Sequence, residues 1–195
     1  MKNKEFFDVV IIGGGPSGSN AAISYKKLNP DLRVAVVDKE FFPRDKSCGD
    51  AIGPGVINAL KRFGNDHILD GEPKVISTTL FGPKNIGIHN YIPKVKNKED
   101  SIVYVIPRLD LDNRIFNLAK QAGAHAFEGY RYSKFINNGR SLLVEIENKN
   151  KEQLLIETKL LVGADGANSR VRKSLNLNQN SDWNKAIAIR AYIDS

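Results

Sequence analysis

A glycine-rich loop near the start of the chain carries the clearest chemical signal of the sequence. The residues Gly13 to Gly18 (GGGPSG) satisfy the pattern G-x-G-x-x-G through Gly13, Gly15 and Gly18. In such a loop the first glycine permits a tight turn, the second lets a pyrophosphate approach the backbone, and the third lets a helix pack closely on a strand. The loop, with Pro16 and Ser17 included, is therefore predicted to bind dinucleotide phosphates at the positive end of a helix.

The elements around this loop decide what the pattern means, because loops of many kinds use glycine. The apolar run Phe7–Ile12 predicts a strand that is buried on both faces. A helix over Ser19–Leu28 and a second apolar strand over Leu32–Val37 follow it. Strand, glycine turn, helix and strand within about thirty residues predict one β-α-β unit, which is the context expected of a dinucleotide site.

Asp38 stands at the end of the second predicted strand, twenty residues after Gly18. A carboxylate at this position accepts hydrogen bonds from the ribose hydroxyls of an adenosine. It also repels a ribose 2′-phosphate, which argues against NADP in this pocket. The alternative interpretation is a solvated aspartate at a strand end, and the register with the glycines favours the ribose role.

The composition is that of an ordinary globular protein. The chain has 195 residues, a formal net charge of +7 and a single cysteine, Cys48, which fits a reducing cytoplasmic setting. Apolar runs fall short of the roughly eighteen residues of a membrane-spanning helix. The lysines are scattered, so a solvated basic surface is favoured over a nucleic-acid site, and weak attraction to anionic lipid stays open. The three histidines lack metal-ligand spacing, so no metal site is predicted.

The remainder of the chain predicts a mixed α/β fold. A helix over Asp110–Gln121 is followed by a strand at Ala124–Phe127. The pair Asn138-Gly139 predicts a tight hairpin turn inside a three-stranded antiparallel meander. The strands of this meander are Arg131–Ile136, Ser141–Glu147 and Gln153–Glu157, followed by a separate buried strand at Leu160–Ala164 and a short helix at Ser169–Leu175. Other short strands are predicted at Val75–Phe81, Ile86–His89, Ile102–Ile106 and Ala186–Ile193.

Four segments together resemble the geranylgeranyl reductase family of FAD-dependent oxidoreductases, which has the para-hydroxybenzoate hydroxylase fold. In chain order the segments are GGGPSG, VVDKEFFPRDKSCGDAIGPG, IPRLDLDNRIFNLAKQAGA and LLVGADGANSRVRK. The resemblance runs from Phe7 to Arg172. Within the family, the segment Phe42 to Asp50 is most similar to menaquinone reductases and related isoprenoid reductases.

The resemblance implies two domains. A Rossmann-like FAD-binding domain would comprise residues 1–72 and 107–175, and residues 73–106 and 176–195 would supply strands of an incomplete second, mostly β substrate domain. Members of the family are considerably longer and carry a Gly-Asp-Ala motif that does not occur in this sequence. The resemblance therefore covers only the N-terminal portion of the family, and a missing segment or a second chain is an expected partner.

The resemblance also implies roles for the residues of the nucleotide site. The glycine loop is expected to bind the FAD pyrophosphate, and Asp38, with Lys39 beside it, the adenosine ribose. Arg44 is expected to reach the ribose or the pyrophosphate, because a guanidinium fork suits phosphate oxygens. A surface arginine is the alternative interpretation of Arg44.

A second group of residues is expected near the flavin. Cys48 and Gly49 match a pair that lies near the flavin ring, where Cys48 is a candidate catalytic proton donor. An inert half-buried thiol is the equally weighted alternative. Arg108 matches an arginine that contacts the region of the flavin, and its rival role is pairing with Asp110 or Asp112.

An Asp-Gly pair after the last buried strand completes the matching residues. Asp165 and Gly166 match a motif that serves both FAD and the reduced nicotinamide in flavin hydroxylases. Their position fits a ligand site, since open α/β sheets bind ligands beyond the carboxyl ends of their strands. Ser169 and Arg172 belong to the same pattern, with helix capping and salt bridging as their alternative roles.

The function that the resemblance implies is the reduction of carbon–carbon double bonds in an isoprenoid, a prenyl lipid or a quinone side chain. The cofactor would be FAD, reduced by an external donor such as NAD(P)H or a ferredoxin-like protein. A lipidic substrate is compatible with a cytoplasmic protein that contacts the membrane peripherally. Two alternatives stay open, a flavin-dependent monooxygenase or halogenase of the same fold and a non-enzymatic nucleotide-binding remnant.

Overall fold

The chain is organised as two compact units. The computed structural model describes residues 5–91, 103–177 and 189–191. The first unit falls within Met1–Lys46 and Leu109–Ala188, and the second within Ser47–Arg108 and Ile189–Ser195. Residues 47–72 thus belong to the second unit, whereas the sequence assigns them to the predicted FAD-binding domain. The functional assignment of the domains stays a prediction.

Strands and helices alternate through the first unit, and short strands dominate the second. In chain order the elements are β1 (Glu5–Ile12), α1 (Pro16–Leu28), β2 (Val34–Asp38), β3 (Ala51–Ile52), α2 (Pro54–Arg62), β4 (Ser77–Phe81), β5 (Gly87–Tyr91), β6 (Tyr104–Val105), α3 (Arg108–Gln121), β7 (His125–Glu128), β8 (Arg131–Asn137), β9 (Leu142–Glu147), β10 (Gln153–Gly163) and α4 (Arg170–Ser174). The predicted β-α-β unit is confirmed as β1, α1 and β2.

A six-stranded sheet forms the centre of the first unit. Its strand order is β7-β2-β1-β10-β9-β8. The first four strands are parallel, and β9 and β8 continue the sheet in antiparallel fashion. The chain leaves β1 toward β2 on one side and returns to β10 on the other. The carboxyl end of β1 therefore lies at a switch point of the sheet, where open α/β sheets bind ligands.

The strand β10 corrects one prediction. The sequence predicts two strands, Gln153–Glu157 and Leu160–Ala164, whereas the structure has one continuous strand, Gln153–Gly163. Its first part pairs antiparallel with β9 and its later part pairs parallel with β1. The polar residues between the two apolar runs do not interrupt it, because Thr158 is buried and donates a hydrogen bond to the carbonyl of Asp8 at 3.2 Å. The meander and the parallel strands consequently form one sheet.

Burial of apolar side chains explains why these segments form a sheet. The last four residues of β1 and all five residues of β2 are buried, as expected for strands covered on both faces. Removal of this apolar surface from water is the main driving force for the arrangement. The core cluster comprises Phe7, Val10, Ile12, Ala35, Val37, Phe127, Tyr132, Val144, Ile146, Ile156 and Val171.

Helix α3 buries one apolar face and one carboxylate. The predicted helix Asp110–Gln121 is confirmed and begins two residues earlier, at Arg108. Its buried apolar residues are Leu111, Ile115, Phe116 and Ala119, and Asp112 is buried among them with no solvent exposure. A buried charge requires a compensating partner, since desolvation of an isolated carboxylate is costly.

The second unit contains short strands, as predicted for the start of a mostly β domain. Strand β3 pairs antiparallel with β6, and β4 pairs with β5 as a hairpin. The buried carboxylate of Asp50 accepts a hydrogen bond from Nη1 of Arg190 at 3.1 Å, which joins residues 189–191 to the start of β3. The predicted strand Ala186–Ile193 lies largely outside the described residues.

Candidate functional site

The glycine loop connects β1 to α1, and two of its glycines are required by the fold itself. Gly13 has φ +107°, and a Cβ placed on it would lie 2.3 Å from the carbonyl oxygen of Ala164. A Cβ on Gly18 would lie 1.8 Å from the carbonyl oxygen of Gly13. Both distances are far below van der Waals contact with backbone atoms. These positions thus provide the tight turn and the close helix packing that the sequence predicts.

Gly15 is a glycine for a different reason. Its φ of −68° and ψ of −178° are accessible to any L-residue. A Cβ on Gly15 would lie 3.3 Å from Nη2 of Arg44, the far end of a flexible side chain. The fold therefore tolerates a side chain here, and the missing Cβ leaves room for a ligand. Gly15 is also the N-cap of α1 and supplies no capping side chain. Pro16 has no N–H and the N–H of Ser19 donates to the carbonyl of Gly15 at 2.9 Å, so the uncapped N–H groups of the first turn are those of Ser17 and Gly18.

Asp38 connects the end of β2 to the glycine loop. One carboxylate oxygen, Oδ2, accepts a hydrogen bond from the backbone N–H of Gly14 at 2.7 Å. The other, Oδ1, accepts one from the backbone N–H of Glu40 at 3.0 Å. A carboxylate offers about four acceptor sites, so two backbone bonds leave capacity for ribose hydroxyls. Asp38 thus shapes the loop as well, a second role that sequence reasoning does not predict.

Arg44 lies between two buried carboxylates beside the glycine loop. Its Nη1 is 3.2 Å from Oδ2 of Asp112 on α3, and its Nη2 is 3.8 Å from Oδ2 of Asp38. Its guanidinium carbon lies 5.0 Å from the ring centroid of Phe42, which stacks on Phe116 at 4.0 Å between ring centroids. The Arg44 side chain is 14% exposed. The interpretation of Arg44 as an ordinary surface arginine is therefore wrong.

A cleft of about 590 Å³ opens at the carboxyl ends of β1, β2 and β10. Its volume is within the range of small-molecule and cofactor sites, about 300 to 1,000 Å³. The structure brings seven of the predicted site residues together in its walls: Gly13, Gly15, Asp38, Lys39, Arg44, Asp165 and Gly166. Pro16, Ser17 and Gly18 follow Gly15 in the first turn of α1.

Several residues of the cleft are missed by sequence reasoning. Tyr130, Arg131 and Tyr132 line it just after β7, and the N–H of Tyr130 donates to the carbonyl of Asp38 at 3.0 Å. These residues follow the predicted strand Ala124–Phe127, and the end of a third parallel strand meets the same edge of the sheet as β1 and β2. That position could have indicated them as residues of the site. Burial raises the pKa of Tyr132 above its ordinary value of 10.0, and its hydroxyl lies 2.8 Å from the hydroxyl of Ser174.

Asp165 lies in the cleft wall and also caps helix α4. Its Oδ2 accepts hydrogen bonds from the backbone N–H groups of Arg170 at 2.6 Å and Val171 at 3.3 Å. Its Oδ1 accepts one from the hydroxyl of Ser169 at 2.5 Å. Ser169 in turn accepts a hydrogen bond from the N–H of Arg172, which confirms the capping role considered for Ser169. A cofactor contact of Asp165 stays a prediction.

Three predicted site residues belong to the second unit. Cys48 is a half-buried thiol in the irregular segment before β3, and Gly49 beside it is exposed. Arg108 is the first residue of α3. Their predicted contacts with the flavin, and the catalytic role considered for Cys48, stay predictions.

The residues of the cleft fit the ADP part of FAD. The amides at the start of α1 and the guanidinium of Arg44 are donors suited to phosphate oxygens. Asp38 keeps acceptor capacity that suits ribose hydroxyls, and the missing Cβ of Gly15 leaves space beside the loop that suits a phosphate. The fold and the cleft together define a Rossmann-like dinucleotide-binding protein.

Comparison with protein families identifies the dinucleotide. Residues 7–189 match the FAD binding domain family, and the chain belongs to that family. Its cofactor is FAD, as the sequence predicts. Within the described ranges, no helix is long and apolar enough to cross a membrane.

Two curated relatives are similar in sequence to most of this chain. The menaquinone reductase of Mycolicibacterium smegmatis is 32% identical over 190 residues, which cover 96% of this chain and 44% of that relative. The geranylgeranyl diphosphate reductase of Rhodobacter capsulatus is 31% identical over 169 residues, or 87% of this chain and 40% of the relative. The chain thus spans less than half the length of these curated relatives.

A solved structure agrees with the fold. The p-nitrophenol 4-monooxygenase of Pseudomonas putida superposes with a TM-score of 0.77 at 19% identity, over 89% of this chain and 45% of that one. Identity at this level supports a shared fold and carries no conclusion about the reaction.

Proposed function

We propose that this chain carries the FAD-binding part of a reductase that saturates carbon–carbon double bonds in an isoprenoid chain, such as the side chain of a quinone. The observation that carries the proposal is the identity of 31 and 32% to two relatives named as reductases of prenylated substrates. The matched stretches cover 96% and 87% of this chain. The reducing equivalents come from an external donor, a nicotinamide or a ferredoxin-like protein.

The residues of the first unit perform binding and orientation in this proposal. Bound FAD supplies the hydride transfer, which is the chemistry of the cofactor rather than of the protein. The start of α1 and Arg44 bind the diphosphate, and Asp38 orients the adenosine ribose. The Asp38 carboxylate also disfavours a nucleotide with a 2′-phosphate, because two anions in a buried site repel each other. NADPH, if it is the donor, therefore binds elsewhere.

The proposal is tested by flavin retention followed by turnover. The purified chain is incubated with FAD and desalted, and the retained flavin absorbance is measured. The flavin is then reduced chemically without oxygen, and a quinone with an unsaturated prenyl side chain is added. Reoxidation of the flavin, with a gain of two hydrogen atoms per saturated double bond by mass spectrometry, is the expected result.

The other outcomes separate the alternatives. Retained FAD without reoxidation by prenyl substrates contradicts the reductase proposal for this chain and favours a nucleotide-binding module. Oxygen-dependent formation of a hydroxylated product favours a monooxygenase, the reaction in the name of the Pseudomonas putida structure. Loss of flavin from a chain with native circular dichroism shows that the described cleft does not suffice for binding.

A further inference from the structure

Asp112 is a buried carboxylate on α3 that touches the nucleotide site through another residue. Its side chain has no solvent exposure, and its Oδ2 lies 3.2 Å from Nη1 of Arg44. Of the two residues in this ion pair, Arg44 lines the cleft and Asp112 lies behind it. We infer that Asp112 is a positioning residue, which holds the guanidinium of Arg44 against the glycine loop so that its fork meets the diphosphate of FAD.

The geometry gives Arg44 one orientation. Asp112 engages Nη1, the ring of Phe42 lies 5.0 Å from the guanidinium carbon, and Nη2 is the atom nearest to the Cβ position of Gly15, at 3.3 Å. An arginine loses rotamer freedom when it binds a phosphate, and that loss weakens binding unless the side chain is already ordered. Asp112 and Phe42 impose this order before the ligand arrives.

The second carboxylate near Arg44 does not replace Asp112. Asp38 lies 3.8 Å from Nη2, and its oxygens already accept the backbone N–H groups of Gly14 and Glu40. Without Asp112, Asp38 is the remaining carboxylate described beside this guanidinium, and we expect attraction to it to draw the fork away from the phosphates. The charge on Asp112 therefore favours diphosphate binding even though both groups are anions.

The inference rests on the diphosphate site of the proposed function and not on its substrate. It predicts a selective effect: ligands with a diphosphate depend on Asp112, and ligands without phosphate do not. Asp112→Asn keeps the shape of the side chain and removes its charge. We expect it to weaken ADP binding about tenfold, the equivalent of one charge-assisted hydrogen bond held less well, and to change adenosine binding by less than about twofold.

The experiment measures ADP and adenosine binding to the full chain by isothermal titration calorimetry. Asp110→Asn, an exposed aspartate two residues earlier on α3, is the matched control and is expected to bind both ligands as the wild-type chain does. Arg44→Met and the double variant complete a cycle. Because Asp112 acts through Arg44, Asp112→Asn is expected to have no further effect on ADP binding in the Arg44→Met background.

Three results overturn the inference: equal weakening of ADP and adenosine, an ADP effect that persists in the Arg44→Met background, or a wild-type chain that binds no ADP. Asp112→Glu, which keeps the charge and displaces it, is measured beside Asp112→Asn in case one of them does not fold. If neither variant folds, Arg44→Lys, which lacks the fork, is measured with the same two ligands. Equal weakening of ADP and adenosine by Arg44→Lys would likewise contradict the inference. None of these measurements involves turnover, so a chain that shows the selective effect and reduces no prenyl substrate contradicts only the proposed function.

Discussion

Gly15 separates the requirements of the fold from those of the ligand, and Gly15→Ala is the substitution that tests the distinction. The backbone angles of Gly15 suit alanine, and the new methyl group would meet only the end of the Arg44 side chain, at 3.3 Å. Replacing glycine at a compatible position stabilises a protein by about 0.4–1 kcal/mol, because the unfolded chain becomes less flexible. Alanine is less favoured than glycine at an N-cap, and this effect opposes the gain, so the melting temperature is expected to change by no more than about 4 °C.

The same methyl group occupies the place where the diphosphate approaches the backbone. Displacement of a phosphate from one charge-assisted hydrogen bond costs about 1.5–3 kcal/mol, which corresponds to roughly a tenfold to hundredfold loss of affinity. Gly15→Ala is thus expected to weaken FAD binding by that factor while changing the stability of the ligand-free chain no more than Gly53→Ala does. Fluorescence titration of FAD and thermal denaturation of the apoprotein measure the two effects separately.

Two other glycines provide the controls. Gly53 is the N-cap of α2 with similar angles, φ −86° and ψ 177°, and no described atom lies within 4 Å of its Cβ position. Gly53→Ala therefore reports the combined backbone and N-cap contributions to stability, without a new side-chain contact. Gly18→Ala is expected to destabilise the apoprotein, since its methyl group would lie 1.8 Å from a backbone oxygen. If Gly15→Ala binds FAD as tightly as the wild-type chain, the phosphate assignment of this loop is refuted.

Two further substitutions test carboxylates of the first unit. Asp38→Ala removes the acceptor of the Gly14 amide, so we expect a stability loss of about 1–3 kcal/mol together with weaker FAD binding. Urea denaturation and FAD titration measure the two effects. A loss of affinity without a loss of stability would contradict the role of Asp38 in connecting β2 to the glycine loop. The hydrogen bond from Lys159 holds the pKa of Asp8 below its ordinary value of 3.8. The folded state therefore binds the Asp8 proton less readily than the unfolded state does. The ionised carboxylate stabilises the folded state at pH values above the ordinary pKa of 3.8, and this stabilisation is lost as the pH falls through the lowered pKa. Asp8→Asn should thus be slightly less stable than the wild-type chain near neutral pH and equally stable in strong acid, and a pH-independent difference would contradict the assignment.

The local part of the site is predictable from the sequence. Gly13, Gly15, Gly18 and Asp38 lie within one β-α-β unit, whose strands and helix are specified by apolar periodicity over a short stretch of chain. Once that unit forms, the loop and the strand end come together without help from distant residues. The structure accordingly places Gly13, Gly15 and Asp38 in the walls of one cleft.

The non-local part is not predictable in the same way. The sequence offers Asp112 as a possible partner of Arg108, and it gives no sign of the ion pair with Arg44, sixty-eight residues earlier, that the structure contains. The strand β10 is missed as one element for a similar reason, because its pairing with β1 decides its continuity. A partial signal was present for Asp112, since it shares the apolar face of α3 with Ile115 and Phe116, where a carboxylate requires a buried cation.

The role of Asp165 shows how a correct position can conceal a second function. Its place after a buried strand favours a ligand role, and it does line the cleft. Its carboxylate nevertheless accepts the first backbone amides of α4, a role specified by the helix that follows rather than by the strand before. The position of Asp165 in the sequence predicts that it lies at the cleft. Only its side-chain contacts show that the carboxylate also stabilises the start of α4.

The charges of the cleft indicate what recognises the diphosphate. Five basic and four acidic side chains line it, so its net charge is only +1, and Asp112 behind Arg44 cancels even that. The overall charge of +7 is therefore not concentrated at the cleft where we propose that the diphosphate binds. Recognition must then depend on directed donors, the amides at the start of α1 and the fork of Arg44, since a nearly neutral cleft exerts little general attraction. Small changes of geometry at Gly15 or Asp112 should consequently weaken binding more than the loss of an exposed cation such as Lys39.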